Sequence, residues 1–315
     1  MSGLSFGVRL TALSPGIGDE ARRLEAEGFD FLVVGEHVSF NVATANSFIS
    51  LAAASAVTRS IGLMSAVTLV PLYPVGLLAK MISALDNVSG GRFVLGAGLG
   101  GENPAEFAAC GVSLAERGDR ADEALAALWH LWGGRDGESG FRGLFASLEG
   151  VHIEPPPISR PHPPIWVAGR GPRARRRAAS YGDGWIPYMY TPDMLRDSLV
   201  EIRERGDRAT PIEGGIYVWV CSNPDAGLAE RFAVEKLADV YRQDFTRHLD
   251  RYLVVGDPDR CVERLLDYVK AGARRIILNQ ACPDGYLDTN RRIFADTVIP
   301  RVRQLAGADP AIEFV

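Results

Sequence analysis

Lysine, cysteine and long apolar runs are scarce in this chain of 315 residues. Only three lysines are present, so arginine carries nearly all of the basic charge. No stretch of about 18 uninterrupted apolar residues occurs, and no transmembrane helix is therefore predicted. The few cysteines lie far apart and form no C-x-x-C pair, which argues against both a zinc site and a disulfide framework. They are Cys110, Cys221, Cys261 and Cys282.

The net charge of the chain excludes some classes of binding partner. The formal net charge is -5 and the isoelectric point is near 5.6. Nucleic acids and anionic membranes both require a basic protein surface, so neither is expected as a partner. The sequence does not open on a charged segment followed by an apolar run, which predicts a cytoplasmic protein. We expect a small-molecule partner and no metal site.

Strand-like apolar runs alternate with amphipathic helical segments, a pattern typical of a parallel sheet with helical crossovers. Eight strands close a barrel, so we predict the α/β class and a single (β/α)8 (TIM) barrel domain over residues 1–315. Gly-rich and Pro-rich sequence at about 133–163 predicts an inserted hairpin between the fourth and fifth strands. The predicted strands are 4–10, 29–34, 61–67, 92–97, 164–168, 184–187, 215–221 and 274–279.

An acidic residue and a histidine follow the second predicted strand. Glu36 and His37 come directly after an apolar run and Gly35, and in a barrel the end of a strand lies at the catalytic face. His37 is a candidate to position or protonate a reacting group. Glu36 is a candidate to accept a hydrogen bond from the imidazole or to anchor the loop. A structural cap for the strand end remains the alternative.

Two glycine-rich loops, 96–101 and 169–171, each follow a strand and precede a helix. Glycines let a backbone approach a ligand closely, and a helix N-terminus attracts an anion, so the two loops predict a cofactor that carries phosphate. The first loop also matches G-x-G-x-x-G. A dinucleotide-binding fold would place that motif after its first strand, which disfavours this alternative. Glu102 lies at the rim of the same loop.

Five arginines cluster where the helix after the fifth strand begins. A helix N-terminus usually favours acidic residues, so a basic first turn indicates a bound anion. We assign Arg170 to the ligand, and the others are expected to form a solvated face. They are Arg173, Arg175, Arg176 and Arg177.

The chain resembles the luciferase-like monooxygenase superfamily nearly from end to end. The resemblance lies in Gly35-Glu36-His37, in the glycine loop that begins at Gly96, and in several further segments. These are 78–86, 89–93, 103–107, 116–118, 161–167 and 182–185. One departure is Gly101, which stands where many relatives carry a large residue.

The resemblance implies a TIM barrel that binds FMN or the deazaflavin coenzyme F420 at the C-terminal ends of its strands, as a homodimer. It places the phosphate near residues 169–171 and the ring over the third and fourth strands, with a non-proline cis peptide within residues 65–67. Candidate catalytic residues are therefore His37, Glu36 and Glu102. Candidate cofactor-binding residues are Ser65, Ala66, Gly98, Gly100, Gly169, Arg170 and Gly171.

Three functions follow from this cofactor site. We favour F420-dependent hydride transfer to or from a small organic substrate, with a proton supplied by His37 or Glu102. A monooxygenase that uses reduced FMN from a separate reductase is the alternative. A flavin-binding protein without turnover is the third. Apolar and aromatic residues in the loops 39–47, 188–193 and 232–248 favour a moderately hydrophobic substrate.

Overall fold

The computed structural model describes residues 3–13, 15–133, 140–206, 211–310 and 312. The Cα positions group into two compact units. The first unit contains Met1–Arg9, Arg23–Phe31 and Trp185–Val315, and the second contains Leu10–Arg22 and Leu32–Gly184. Single-domain organisation stays a prediction.

All eight predicted strands are present, and two short strands that the sequence did not reveal, β4 and β9, accompany them. The described strands are β1 (Ser5–Arg9), β2 (Phe31–Val34), β3 (Gly62–Ser65), β4 (Thr68–Leu69), β5 (Phe93–Gly98), β6 (Ile165–Ala168), β7 (Gly184–Ile186), β8 (Glu213–Ser222), β9 (Val254–Gly256) and β10 (Ala273–Gln280).

The strands form a sheet in which β10 pairs with β8 as well as with β1. The hydrogen-bonded order is β10-β1-β2-β3-β5-β6-β7-β8, and β8 pairs in turn with β10. The short strands pair outside this cycle, β9 with β8 and β4 with β5. The pairs β1–β10, β10–β8, β3–β5 and β5–β6 are parallel. Eight strands in this cyclic order, with helices between them, are a (β/α)8 barrel, as predicted.

The α-helices lie between the strands and after the last one. They are α1 (Ile17–Ala26), α2 (Ser47–Val57), α3 (Val75–Ser89), α4 (Pro104–Ala109), α5 (Arg117–Gly133), α6 (Pro172–Tyr181), α7 (Pro192–Arg205), α8 (Ala226–Tyr241), α9 (Leu249–Tyr252), α10 (Pro258–Lys270), α11 (Leu287–Ile293) and α12 (Ile299–Ala308). No helix in the described ranges is long and apolar enough to span a membrane.

The first unit is built on β1, β10 and β8. Helix α10 packs on β8, β9 and β10 and buries Val262, Leu265 and Val269, the apolar stripe that its sequence predicts. Its N-terminus is capped by Asp257, whose side chain accepts a hydrogen bond of 2.9 Å from the Arg260 N–H.

The second unit contains β2 to β6. Helix α3 buries Leu78, Ile82 and Leu85 as its periodicity predicts, and it ends at Gly90, whose φ of 69° suits a glycine C-cap. The fully buried Asp86 on the same helix accepts hydrogen bonds from the N–H groups of Ile158 and Ser159, at 2.7 and 2.9 Å. Asp86 thus fastens the insertion to the barrel helices.

The predicted hairpin within 133–163 is short where the structure describes it. Arg142 and Ser147 form an isolated antiparallel bridge, and the Gly143 N–H donates to the Ala146 carbonyl oxygen. Residues 134–139 of this prediction lie outside the described residues.

Candidate functional site

A cis peptide bond joins Ala66 and Val67, between β3 and β4. The cis peptide that the family resemblance implies within residues 65–67 is thereby confirmed. The Ser65 side chain is buried beside this bond. Its hydroxyl accepts a hydrogen bond of 2.9 Å from the Gly96 N–H of the neighbouring strand β5.

Three glycines make room for this segment. A Cβ atom on Gly96 would lie 1.9 Å from the Ser65 carbonyl oxygen, and one on Gly98 would lie 2.2 Å from a Val67 methyl carbon. A Cβ on Gly35 would lie 2.9 Å from the Ala66 carbonyl oxygen. The close neighbours of Gly96 and Gly98 are therefore protein atoms, a packing reason that the sequence analysis did not consider. Gly100 has a φ of 62°, a conformation that favours glycine.

Glu36 lies buried at the centre of a hydrogen-bond network. One carboxylate oxygen accepts from the Leu69 N–H at 2.9 Å. The other accepts from the Ser47 hydroxyl at 2.6 Å, the Ser47 N–H at 3.2 Å and the Tyr73 hydroxyl at 3.1 Å. Of the two roles that the sequence left open for Glu36, this geometry favours anchoring the loop.

Tyr73 completes this network at the N-terminus of α2. Its hydroxyl accepts a hydrogen bond of 3.2 Å from the Asn46 side-chain amide while it donates to Glu36. Burial and the nearby Glu36 carboxylate raise the pKa of Tyr73 well above its ordinary value. The tyrosine therefore stays protonated and remains a hydrogen-bond donor.

His37 pairs with Glu106 rather than with Glu36. The Nδ1 atom of His37 lies 3.2 Å from one Glu106 carboxylate oxygen and 3.4 Å from the other, and the Glu106 side chain is completely buried. One of these oxygens also accepts from the Val38 N–H at 3.2 Å. The imidazole is 19% exposed and stacks on Phe40 with 4.1 Å between ring centroids. Its position and orientation are thus fixed from two sides.

Glu106 is a residue that the sequence analysis missed as a partner of His37. It lies in the first turn of α4, where an acidic residue normally serves the helix N-terminus. Asn103 performs that task instead, since its side chain accepts a hydrogen bond of 3.1 Å from the Ala105 N–H. Because Asn103 already caps α4, the Glu106 carboxylate is not required at that helix end. This was the sign in the sequence that Glu106 has another partner. Glu102 lies exposed on the preceding loop.

The second glycine loop, 169–171, leads into α6. The backbone N–H groups at the start of this helix have no side-chain cap. Gly171 is the N-cap residue, no side chain caps the helix, and no acidic residue lies in its first turn. Apart from the adjacent residues in the chain, no atom of the described residues lies within 4 Å of the position of a Cβ on Gly171. Gly169 has a φ of 122°, and Arg170 is exposed beside it. An anion fits against this helix end.

Two of the arginines further along α6 form contacts with residues of α5. Arg177 is buried, and its side chain donates to Asp122 at 2.6 Å and to the Gly118 carbonyl oxygen at 3.1 Å. Arg173 pairs with Asp119. The expectation of a solvated face was therefore wrong for Arg177. Burial of a guanidinium requires partners, and these lie about 55 residues earlier in the chain, where periodicity gives no sign of them.

Within the described residues, no group of three or more His, Cys, Asp or Glu side chains is placed to hold a metal ion. The site therefore offers a carboxylate–imidazole pair, a glycine-lined segment with a cis peptide, and an open helix N-terminus. This combination suits proton transfer beside a phosphate-bearing organic cofactor.

Comparisons with known proteins agree with the fold. The sequence profile of the luciferase-like monooxygenase family matches residues 15–275. An F420-dependent glucose-6-phosphate dehydrogenase of Beutenbergia cavernae is 27% identical over 316 aligned positions, which cover 89% of this chain and 90% of that protein.

Two solved structures share the barrel. The monooxygenase RslO1 from Streptomyces bottropensis has a TM-score of 0.79 at 25% identity, covering 94% of this chain and 99% of its own. An F420-dependent secondary alcohol dehydrogenase, solved with an F420–acetone adduct, also has a TM-score of 0.79, at 21% identity, covering 96% of this chain and 100% of its own.

Proposed function

Because the chain belongs to the luciferase-like monooxygenase family, we propose that it is an oxidoreductase that uses coenzyme F420 to move a hydride to or from a small organic substrate. The observation that carries this proposal is the His37–Glu106 pair, a proton acceptor held in one orientation by a buried carboxylate. The relatives named for F420 support the choice of cofactor.

The residues present fit such a cofactor. Its phosphate would be held by the open N–H groups at the start of α6 together with Arg170. Its ring would lie against the segment from Ser65 to Val67, which Gly96 and Gly98 hold close to β5. When bound, F420 supplies a ring carbon that accepts or returns a hydride and reacts poorly with oxygen.

His37 would accept or donate the proton that is transferred together with the hydride. With Nδ1–H donating to Glu106, the neutral imidazole presents Nε2 as a base that takes the proton of a substrate hydroxyl as the carbonyl forms. Glu106 stabilises the imidazolium that results. In the reverse direction, the imidazolium returns the proton to the new alkoxide. Glu36 acts through the loop by fixing its backbone.

Two titrations test this proposal. Purified protein is titrated with F420 and with FMN, and oxygen uptake is followed with both reduced cofactors. We expect tighter binding of F420, no oxygen uptake with reduced F420, and oxygen uptake with reduced FMN no faster than in the absence of protein. Tight FMN binding with rapid oxygen consumption would instead establish the monooxygenase, the second candidate, which the resemblance to the S. bottropensis enzyme favours.

Turnover separates an enzyme from a flavin-binding protein. With a secondary alcohol or sugar phosphate found by screening for F420 reduction, we expect His37→Ala to lower kcat by about 100-fold or more. F420 affinity should change by only a few fold. Equal losses of binding and turnover would make His37 a cofactor contact. Absence of any F420 reduction across the screen would favour a binding protein.

We also propose that the protein is a homodimer. Helix α2 carries no charged residue and packs on α3, and Ile49 of α2 and Leu77 and Val88 of α3 are exposed, by 71%, 54% and 65%. Exposed apolar side chains of this kind can pack against those of a second copy about a two-fold axis. Light scattering after chromatography should report a dimer, and Ile49→Lys should give monomers. A monomeric wild-type protein would contradict this assembly.

A further inference from the structure

The inner face of the first unit carries polar side chains at one end of its strands. Register places Gly7 of β1, Ile277 of β10 and Tyr217 of β8 side by side. A Cβ on Gly7 would meet the Phe31 ring, whereas Phe6, on the opposite face, lies under Arg303 of the outer helix α12. Gly7 and its row therefore face the interior of the barrel.

One step towards the C-terminal ends, the next inner row consists of Arg9, Asn279 and Trp219. Asn279 is in register with Trp219, and Arg9 follows Gly7 by two residues, which keeps it on the same face. Arg9 is the last residue of β1 and Asn279 is the penultimate residue of β10. Barrel enzymes bind substrates at this end of their strands.

The side chains of the two polar members of this row stand without a hydrogen-bonding partner among the described residues. Across the described part of the chain, the half-buried Arg9 guanidinium forms no hydrogen bond or ion pair, and neither does the Asn279 side chain, which is only 3% exposed. Neither side chain contributes an atom to the fully buried, unpaired N and O atoms of the described residues, so both polar ends remain accessible to a ligand. Such groups at the catalytic end of a barrel are typical of a ligand site.

The chemistry of the row defines what it would bind. Arg9 supplies a cation with several donors, Asn279 supplies a donor and an acceptor, and Trp219 supplies a flat apolar surface. The indole is held in place because its N–H donates to the Tyr241 hydroxyl at 3.3 Å. Burial raises the pKa of Tyr217, an effect that the Arg9 cation partly offsets.

We propose that Arg9 and Asn279 bind an acidic group of the substrate, a carboxylate or a phosphate monoester, while Trp219 contacts the adjoining apolar part. This inference rests on the proposed function, in which α6 and Arg170 hold the phosphate of the cofactor. Arginine forms charge-assisted hydrogen bonds with either acid, and the Asn279 amide adds a second donor. The substrate is then both acidic and partly apolar.

The test uses three matched probes, namely benzoate, phenyl phosphate and benzyl alcohol. Each is titrated calorimetrically into the purified protein, without cofactor and with saturating F420. We expect at least one of the two acids to bind about 10-fold or more tightly than the alcohol, because hydrogen bonds to charged groups contribute that much. Whichever acid binds more tightly identifies the carboxylate or the phosphate as the natural group.

Variants test whether Arg9 and Asn279 cause the preference for the acids over the alcohol. Arg9→Gln and Asn279→Ala should each reduce the preference for the acid by about 10-fold, and Arg9→Lys should retain part of it. Arg22→Gln, which removes an exposed arginine from α1, should change nothing. Near-ultraviolet circular dichroism confirms that each variant is folded.

Three results would overturn the inference. They are equal affinity for acids and alcohol, an acid preference that survives in folded Arg9→Gln, and loss of both acids when F420 is bound. Acid binding in a protein that fails to bind F420 would contradict the proposed function alone. F420 binding without acid preference would contradict this inference alone.

Discussion

Replacement of Glu106 by glutamine tests the proton-transfer pair directly. Glutamine keeps the volume of the side chain, and its carbonyl oxygen still accepts from the Val38 N–H. The oxygen that accepts from Val38 is also the one that lies 3.2 Å from His37 Nδ1, so it can keep both hydrogen bonds, and the amide nitrogen takes the position 3.4 Å from Nδ1. The variant thus keeps the imidazole in place but removes the negative charge that stabilises the imidazolium.

The expected effect follows from the loss of the carboxylate charge beside the imidazole, which impairs His37 as an acid and base. A positioned acid or base contributes about 100-fold to 10,000-fold to a rate, which corresponds to roughly 2.7 to 5.4 kcal/mol of barrier. We expect Glu106→Gln to lower kcat within this range and to leave F420 affinity within a few fold. Single-turnover reduction of F420 in a stopped-flow fluorimeter separates the proton-coupled step from product release.

Glu102→Gln is the matched control. Glu102 lies four residues earlier, is exposed, and was the acidic residue that the sequence placed at the rim. We expect its replacement to change the single-turnover rate by less than about 3-fold, since an exposed carboxylate contributes little. A larger loss for Glu102→Gln than for Glu106→Gln would refute the assignment of the pair.

Three further outcomes are expected. Arg170→Ala should weaken F420 binding, and more at 10 mM than at 500 mM salt (roughly 30 and 4 Å screening lengths), as titrations at both concentrations would show; no change would place the phosphate elsewhere. Gly98→Ala should lower the free energy of unfolding by about 1–3 kcal/mol in urea, because its Cβ would meet Val67 at 2.2 Å. Tyr73→Phe should destabilise the protein by about 1 kcal/mol at neutral pH, through loss of the hydrogen bond to Glu36. Since the folded-state pKa of Tyr73 is raised, the wild-type advantage should shrink as the pH rises above about 10, where unfolded tyrosine ionises first; an advantage that grows there would contradict the network.

The sequence was informative where physical patterns are local. Alternation of apolar runs and helical stripes predicted all eight barrel strands, and the family resemblance predicted a cis peptide within residues 65–67, which is at Ala66–Val67. The two missed strands, β4 and β9, have only two and three residues, which is too short for a periodic signal.

The partners within the site were harder to predict because they come from distant segments. His37 and Glu106 are 69 residues apart, and no pattern in either segment shows that the end of β2 meets the first turn of α4. Glu36 illustrates the same limit. Its position after a strand predicted a functional carboxylate, but only the fold shows that Ser47, Leu69 and Tyr73 use both of its oxygens.

The segment from Val38 to Asn46 is fastened at both of its ends. At one end Glu106 holds the Val38 N–H, and the Asn103 side chain donates to the Ser39 carbonyl oxygen at 2.9 Å. At the other end Tyr73 accepts from Asn46. Because Phe40 stacks on His37, the residues that can be exchanged between these anchors are 41–45, and a library confined to those positions would vary the loop while His37 keeps its place.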